Sequence, residues 1–262
     1  MGEGVTGHVF LPKNLKGRAP AVVYLHPYSH ANGFFSHDGF GMESFERIAC
    51  AGYIVLAYDQ FGFGSRTGQG GPVFYEKNPR WSELGKLIAD ARRAVDVLCA
   101  LDAVDRERIG AIGFSLGGKV ALYAAAFDER VRATVSACGF SSLRTEKREF
   151  NAVGIRSYSV LRGLAPRMGF FAGNEERLPY DYDELISLIA PRAVLIIAPK
   201  IDRYTDLTQV KSCVKRASQV YKLLGAGGGL ELQTPCDYHR FAPPRQKEAI
   251  EWLDRMLKGG AK

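Results

Sequence analysis

The sequence predicts an α/β fold in which a mostly parallel sheet is flanked by helices. Short apolar runs that are typical of buried strands alternate along the chain with segments whose apolar residues recur at helical spacing. Glycines and polar residues follow directly after several of these strands, at the edge where open parallel sheets build their sites. The 262 residues suit one large domain, residues 1–262, with a substantial core.

The predicted elements alternate from one end of the chain to the other. The strands cover 5–11, 21–25, 53–58, 108–112, 131–137, 192–198 and 229–234. The helices cover 42–50, a long segment after Ser82, 118–126, a segment from Val210 to Leu224, and one that begins at Pro243. Ser82 can cap its helix because a serine hydroxyl accepts hydrogen bonds from first-turn N–H groups, and the fixed φ of Pro243 suits a first helical residue. Such alternation predicts a parallel sheet covered on both faces.

Residues 140–190 interrupt this alternation. They mix Gly, Arg, Tyr and Phe without a clean period, and the segment is too long for a structureless loop in a compact domain. We therefore expect a cap-like insertion over the C-terminal edge of the sheet, where it would form one wall of a pocket.

The most informative motif is Gly113-Phe114-Ser115-Leu116-Gly117, which lies between an apolar run and a helical run. Strand, Gly-x-Ser-x-Gly and helix form the layout of a nucleophile elbow. The flanking glycines permit a tight turn, and the helix N-terminus beneath the serine favours developing negative charge. The chain has 29 glycines, so the motif alone also fits a glycine-rich turn. The residues that follow the motif must decide between a nucleophile elbow and an ordinary turn.

Ser115, Asp202 and His239 each follow a predicted strand, in the order of nucleophile, acid and base that accompanies this elbow. His239 is the only histidine after Ser115, and an imidazole can take the serine proton near neutral pH. Asp202 would orient His239 and stabilise its protonated form. Asp206 is an alternative acid, and either aspartate could instead cap the helix that follows.

An oxyanion hole needs two backbone N–H groups near the serine. Leu116 supplies the first, because it follows the nucleophile. Tyr28 is our candidate for the second, since it lies in the loop after an early strand and its neighbour Pro27 has no N–H.

Several motifs beside the elbow carry a resemblance to a known superfamily. They are Leu25-His26-Pro27-Tyr28, Tyr58 to Ser65, Val104 to Ile109, Phe127 to Val131, Ala190-Pro191-Arg192 and Tyr238-His239-Arg240-Phe241. With these motifs the chain resembles the α/β-hydrolase superfamily over nearly its whole length. Within it the chain is similar to the group of dienelactone hydrolases, acetyl xylan esterases and prolyl-oligopeptidase-type enzymes. The family usually has glycine where this chain has Pro27 and Pro199, and Ser115 in place of cysteine points towards esterases.

The resemblance implies an α/β-hydrolase fold and a serine hydrolase without a cofactor. It would cleave a small-molecule carboxylic ester, with a short-chain acyl, acetyl-sugar or aromatic group, through an acyl-enzyme. A small peptidase, a lactone hydrolase and a non-catalytic binding protein of the same fold remain alternatives. Candidate substrate contacts are His26 and, in the insertion, Arg156 and Tyr158, with Arg162 nearby. For His26 and Asp59 the sequence favours a role in holding their loops by hydrogen bonds, and the insertion residues could simply be solvated.

Composition argues against several other classes of partner. The net charge is +7, but the 35 basic residues are spread along the chain, which does not indicate a nucleic-acid surface. No apolar run approaches a membrane span and no secretory signal is visible, so we expect a cytoplasmic protein and no membrane partner. The five cysteines, at positions 50, 99, 138, 213 and 236, lack metal-type spacing and are expected to be reduced, buried thiols. His30 and His37, with Asp38 beside them, could suggest a metal site, but no further ligand has convincing spacing, so no metal is predicted. A homodimer is one option for the oligomeric state.

Overall fold

The computed structural model describes residues 4–29, 31–35, 41–145, 154–161 and 163–259, and within them seven strands form one sheet. The strands are β1 (Gly7–Phe10), β2 (Ala19–Leu25), β3 (Ile54–Tyr58), β4 (Val104–Phe114), β5 (Val131–Ala137), β6 (Ala193–Ile197) and β7 (Leu230–Gln233). Their spatial order is β1-β3-β2-β4-β5-β6-β7, and only β1 is antiparallel to its neighbour. The predicted α/β fold with a mostly parallel sheet is confirmed.

Helices cover both faces of this sheet. They are α1 (Ser44–Cys50), α2 (Pro72–Lys77), α3 (Glu83–Ala100), α4 (Leu116–Phe127), α5 (Gly154–Arg156), α6 (Tyr182–Ser187), α7 (Leu207–Leu223) and α8 (Pro243–Leu253). As predicted, the Ser82 hydroxyl caps α3 by accepting a hydrogen bond from the Gly85 N–H at 3.0 Å.

The alternating side chains of β2 show how the core is divided. Val23 and Leu25 pack on the face covered by α3, α4 and α7, while Val22 and Tyr24 pack on the face covered by α1 and α8. All seven residues of β2 are buried, which is the pattern expected for a central strand of a sheet with two covered faces. Among the described residues, no helix has the length and apolar character needed to cross a membrane.

The segment 140–190 has two parts in the structure. The first includes α5, which continues as a wider turn through Leu161, and lies beside the C-terminal ends of β4 and β5. The second ends in α6, which lies on the flank of the molecule, where Asp183 forms an ion pair with Arg216 of α7 at 2.5 Å. The expected pocket wall is therefore present in the first part, whereas α6 belongs to the helical layer. Residues 146–153 and Arg162 lie outside the described residues.

Candidate active site

The turn between β4 and α4 holds Ser115 in a conformation that side chains rarely adopt. Its φ is 55° and its ψ is −115°, and its N–H donates to the Ala137 carbonyl of β5 at 2.8 Å. A Cβ on Gly113 would lie 2.2 Å from the Gly117 carbonyl carbon, and one on Gly117 would lie 1.8 Å from the Leu25 carbonyl oxygen. Both elbow positions therefore require glycine. A strained residue that is held so firmly is typical of functional sites.

The structure brings the three predicted residues Ser115, His239 and Asp202 into one hydrogen-bonded row. The Ser115 Oγ lies 3.0 Å from His239 Nε2, and His239 Nδ1 lies 2.8 Å from Asp202 Oδ2. The two loops that carry His239 and Asp202 are tied together, because the Lys200 N–H donates to the Pro235 carbonyl at 2.8 Å. This is the geometry that a serine nucleophile, its base and the orienting acid require.

Asp202 is buried and held by its own loop. Its carboxylate accepts hydrogen bonds from the Tyr204 N–H at 2.8 Å and from the Thr205 hydroxyl at 3.0 Å. Burial alone would raise the pKa of Asp202, but the hydrogen bond and charge of His239, together with these loop donors, outweigh it and hold the pKa below its ordinary value. Asp202 is therefore ionised at neutral pH.

The alternative acid, Asp206, has a different place in the structure. Its side chain caps α7 by accepting from the Thr208 N–H at 3.0 Å and the Gln209 N–H at 3.4 Å. The helix cap that the sequence left open for both aspartates is thus formed by Asp206. Asp202 is the one that contacts His239.

The imidazole of His239 contacts two aromatic rings. The Phe114 ring centroid lies 5.1 Å from it, and the Tyr204 ring meets it edge-on at 4.8 Å. Its side chain keeps about a fifth of its surface exposed. These two ring contacts restrain the imidazole, while its Nε2 is next to the Ser115 Oγ in the cavity.

The two residues predicted for the oxyanion hole lie on the two segments that the elbow brings together. Leu116 begins α4 directly after Ser115. Tyr28 lies in the loop after β2, whose last carbonyl is in close contact with Gly117, and its ring meets the Phe63 ring edge-on at 4.8 Å. Tyr28 lines the neighbouring cavity rather than the cavity of Ser115. The oxyanion role of its N–H remains a prediction.

The predicted substrate contact of His26 is wrong, because its side chain is fully buried. His26 Nδ1 lies 2.6 Å from the Pro27 carbonyl, and Nε2 accepts a hydrogen bond from the Gln60 N–H at 2.9 Å. Asp59 has a similar role: it accepts from the Phe34 N–H and from the Ser65 N–H and hydroxyl. The alternative, that His26 and Asp59 hold their loops, is confirmed.

Because His26 accepts a backbone hydrogen bond, the fold needs its neutral form, and burial lowers the pKa of His26 from 6.5 to about 4. The unfolded chain binds this proton below pH 6.5, so stability is lost as the pH falls from 6.5 towards 4. We expect this residue to account for about 3 kcal/mol of that loss. Urea unfolding of the wild type and His26→Asn at several pH values should show a shallower pH dependence in the variant. The control His8→Asn, at an exposed position on β1, should keep the wild-type slope.

The cavity beside Ser115 is small, about 50 Å³, and is lined largely by polar side chains. They are Ser115, Lys119, Ser141, Ser157, Tyr158, Tyr204, Thr205 and His239, and the less polar wall contains Leu116, Cys138 and Phe140. Tyr158 is thus where the sequence predicted it, whereas Arg156 is exposed and is not among the lining residues. The role predicted for Arg156 gains no support from this position.

Sequence reasoning missed most of the other residues of this cavity, and Lys119 and Cys138 are two of them. Lys119 follows Ser115 by four residues, one helical turn, so the helical period could have indicated it; its Nζ lies 3.8 Å from the Tyr158 ring centroid. Cys138 directly follows β5, with a φ of 52°. Its sulfur and the ligand atoms of Asp202 and His239 all lie within 4.8 Å of one another. His30, His37 and Asp38, which were considered for a metal, lie outside the described residues.

The expectation that the cysteines are buried is met by only two of the five. Cys138 and Cys213 are buried, while Cys50 and Cys236 are exposed.

Comparison with known proteins places this chain in a family. The family model described as "Glucuronyl esterase, fungi" matches residues 6–225. The Bacillus subtilis protein YtaP is 27% identical over 97% of this chain and 84% of its own length. A 4-O-methyl-glucuronoyl methylesterase from Hypocrea jecorina is 29% identical over 91% of this chain, which spans 55% of that protein. A solved glucuronoyl esterase from Teredinibacter turnerae superposes with a TM-score of 0.75 at 21% identity, covering 96% of this chain and 69% of the other.

The structural likeness confirms the α/β-hydrolase fold, and the family match confirms a carboxylic ester hydrolase of the predicted superfamily. The chain belongs to the glucuronyl esterase family.

Proposed function

We propose that this chain is a serine esterase that hydrolyses esters of hydroxylated, sugar-like carboxylic acids through an acyl-enzyme on Ser115. The observation that carries the proposal is the row of Ser115, His239 and Asp202, with donor–acceptor distances of 3.0 and 2.8 Å. Ser115 lies at the N-terminus of α4, so the backbone favours the negative charge that develops on the carbonyl oxygen.

The reaction has two halves. The Ser115 Oγ attacks the ester carbonyl carbon while His239 Nε2 takes the hydroxyl proton, and the N–H groups of Leu116 and Tyr28 hold the oxyanion. His239 then gives this proton to the leaving alcohol, and the acyl group stays on Ser115. In the second half His239 takes a proton from water, the resulting hydroxide attacks the acyl carbon, and the acid leaves as the proton returns to Ser115. Asp202 stabilises the protonated imidazole in both halves.

The polar lining of the cavity supports a hydroxylated acyl group. Five hydroxyl-bearing residues besides Ser115 line the cavity together with Lys119, namely Ser141, Ser157, Tyr158, Tyr204 and Thr205. An alkyl chain would displace water from this lining and offer no hydrogen bonds in its place. Sugar hydroxyls would form hydrogen bonds in place of those made by the displaced water. The names of the relatives, glucuronoyl methylesterases, agree with an acid of this kind. Acetylated sugars and simple short-chain esters are the alternatives.

A matched pair of substrates tests this proposal. The methyl esters of glucuronic acid and of cyclohexanecarboxylic acid present the same ring size, but only the first carries hydroxyls. We expect kcat/KM for the glucuronate ester to be about 10-fold higher or more, because the hydroxyls satisfy the polar lining. Equal or higher kcat/KM for the cyclohexane ester, or for nitrophenyl esters of long acyl chains, would argue against a polar acyl site.

The same assay should identify Lys119 as part of the recognition. Lys119→Met keeps the length of the side chain but removes its charge and donors, so the preference for the glucuronate ester should fall. Lys215→Met, at an exposed position on α7, makes the same chemical change away from the cavity and should leave the preference unchanged.

A further inference from the structure

A second cavity of about 820 Å³ lies on the flank of the molecule, outside the Ser115 cavity. Its walls come from the start of α3, the turn around Pro166, the last turns of α4 and helix α6. The apolar residues of its lining include Trp81, Ile88, Phe127, Met168, Leu185 and Leu188. Neither Ser115 nor His239 lines this cleft, so the proposed reaction gives it no role.

Three large apolar side chains of this cleft are exposed to solvent. Trp81, Phe127 and Leu188 keep 47%, 53% and 60% of their surface open to solvent. Three large exposed side chains that converge on one concave space are typical of a binding site, and the volume suits a small organic molecule.

The charged residues of the lining indicate the sign of the charge that a ligand would carry. Arg80 and Arg167 are exposed at the cleft, and Glu184 is the one acidic side chain among its lining residues, which leaves a net single positive charge. Guanidinium groups hold carboxylates and sulfonates well, and they also stack on aromatic rings. An aromatic molecule that carries one anionic group therefore fits this cleft better than a cationic or a purely polar one.

A row of tyrosines connects the cleft with the Ser115 cavity. Tyr123 and Tyr180 line the cleft, and their hydroxyls are 2.9 Å apart. The Tyr123 ring centroid lies 6.1 Å from that of Tyr182, whose hydroxyl bonds to the hydroxyl of Tyr158. Tyr158 lines the Ser115 cavity beneath the Lys119 ammonium. A shift of Tyr123 or Tyr180 would therefore be transmitted through packed, hydrogen-bonded groups.

We propose that the flank cleft is a second ligand site, for an aromatic carboxylate or sulfonate, and that the tyrosine row couples its occupation to the catalytic cavity. The binding part is independent of the proposed function. The coupling part rests on it, because the coupling is measured as a change in ester hydrolysis.

Trp81 makes binding measurable at this site in particular. The chain has two tryptophans, and the other, Trp252 on α8, is buried in the core. With anilinonaphthalene sulfonate as the probe, we expect saturable energy transfer from Trp81, which Trp81→Phe should remove. Leu188→Glu adds a negative charge at the cleft and should weaken binding about 10-fold or more. Leu223→Glu, the same change at an exposed position outside the cleft, should bind the probe like the wild type. Energy transfer that does not saturate, or an equal loss of probe affinity in Leu188→Glu and Leu223→Glu, would contradict the proposed site.

Coupling is tested with nitrophenyl acetate at a saturating concentration of the probe. We expect kcat/KM to change about twofold or more in the wild type, and to stay constant in Leu188→Glu. Tyr182→Phe removes the hydroxyl that links Tyr182 to Tyr158; it should bind the probe with unchanged affinity but respond less in kcat/KM. An unchanged wild-type rate, or a full response in Tyr182→Phe, would overturn the coupling. If the chain hydrolysed no ester, energy transfer from Trp81 would still measure binding in the cleft. Failure of the proposed esterase function can therefore be distinguished from failure of the proposed binding site.

Discussion

Replacing Ser115 with alanine should lower kcat for ester hydrolysis by roughly four to six orders of magnitude. The substitution removes the nucleophile, and the helix N-terminus and cavity alone provide only weak catalysis. The fold should survive, because the backbone at residue 115 already has a φ of 55° in the wild type and alanine faces a similar strain there. Initial rates with nitrophenyl acetate measure the loss, and labelling with a fluorophosphonate measures the nucleophile directly.

The control for this prediction is a serine in the same cavity. Ser141 lines the cavity, and its hydroxyl accepts a hydrogen bond from the Asp206 N–H at 3.1 Å. Ser141→Ala should cost about 1 kcal/mol of stability and leave fluorophosphonate labelling in place. Labelling that persists in Ser115→Ala would assign the nucleophile to another residue. A folded wild type that takes no label at all would favour a non-catalytic binding protein of this fold.

The parts of the site that the sequence predicted are those fixed by topology. Parallel strands end at one edge of the sheet, so residues that follow β4, β6 and β7 must meet there whatever the details of packing. Ser115, Asp202 and His239 are three such residues. The close backbone contacts at Gly113 and Gly117 also have a sequence signature, because no other residue fits them.

The parts that the sequence could not predict depend on which way a side chain points. His26 also follows a strand end, but its ring turns inwards, where it bonds to backbone groups of Pro27 and Gln60. Long-range contacts such as the edge-on packing of Phe63 against this ring leave no local sequence signal. Asp202 and Asp206 are four residues apart and both suit a helix cap, so their roles separate only once the His239 loop is in place. The segment 140–190 showed no period because it contains short, tight or wide turns, which leave no repeating apolar pattern.

Replacing Asp202 with asparagine is the second prediction with a large expected effect: kcat should fall by roughly two to four orders of magnitude. The carboxylate holds the proton of His239 on Nδ1, which leaves Nε2 able to accept the Ser115 proton. An asparagine amide can donate to Nδ1 instead and so favour the wrong tautomer, and it cannot stabilise the imidazolium charge. Asparagine has nearly the shape of aspartate and can still accept from the Tyr204 N–H, so the loop should keep its conformation.

Asp206→Asn provides a closely matched control, since it makes the same chemical change four residues away. Asparagine is as good a helix cap as aspartate, so the cap of α7 should persist and kcat should stay within about twofold of the wild type. Urea unfolding of both variants separates lost catalysis from lost folding. If Asp206→Asn lost activity while Asp202→Asn kept it, the acid would have to be Asp206, and the loop after β6 would have to rearrange when substrate binds. If neither variant lost activity, His239 would work without a carboxylate, and the hydrogen bond of 2.8 Å to Asp202 would serve only to hold the ring in place.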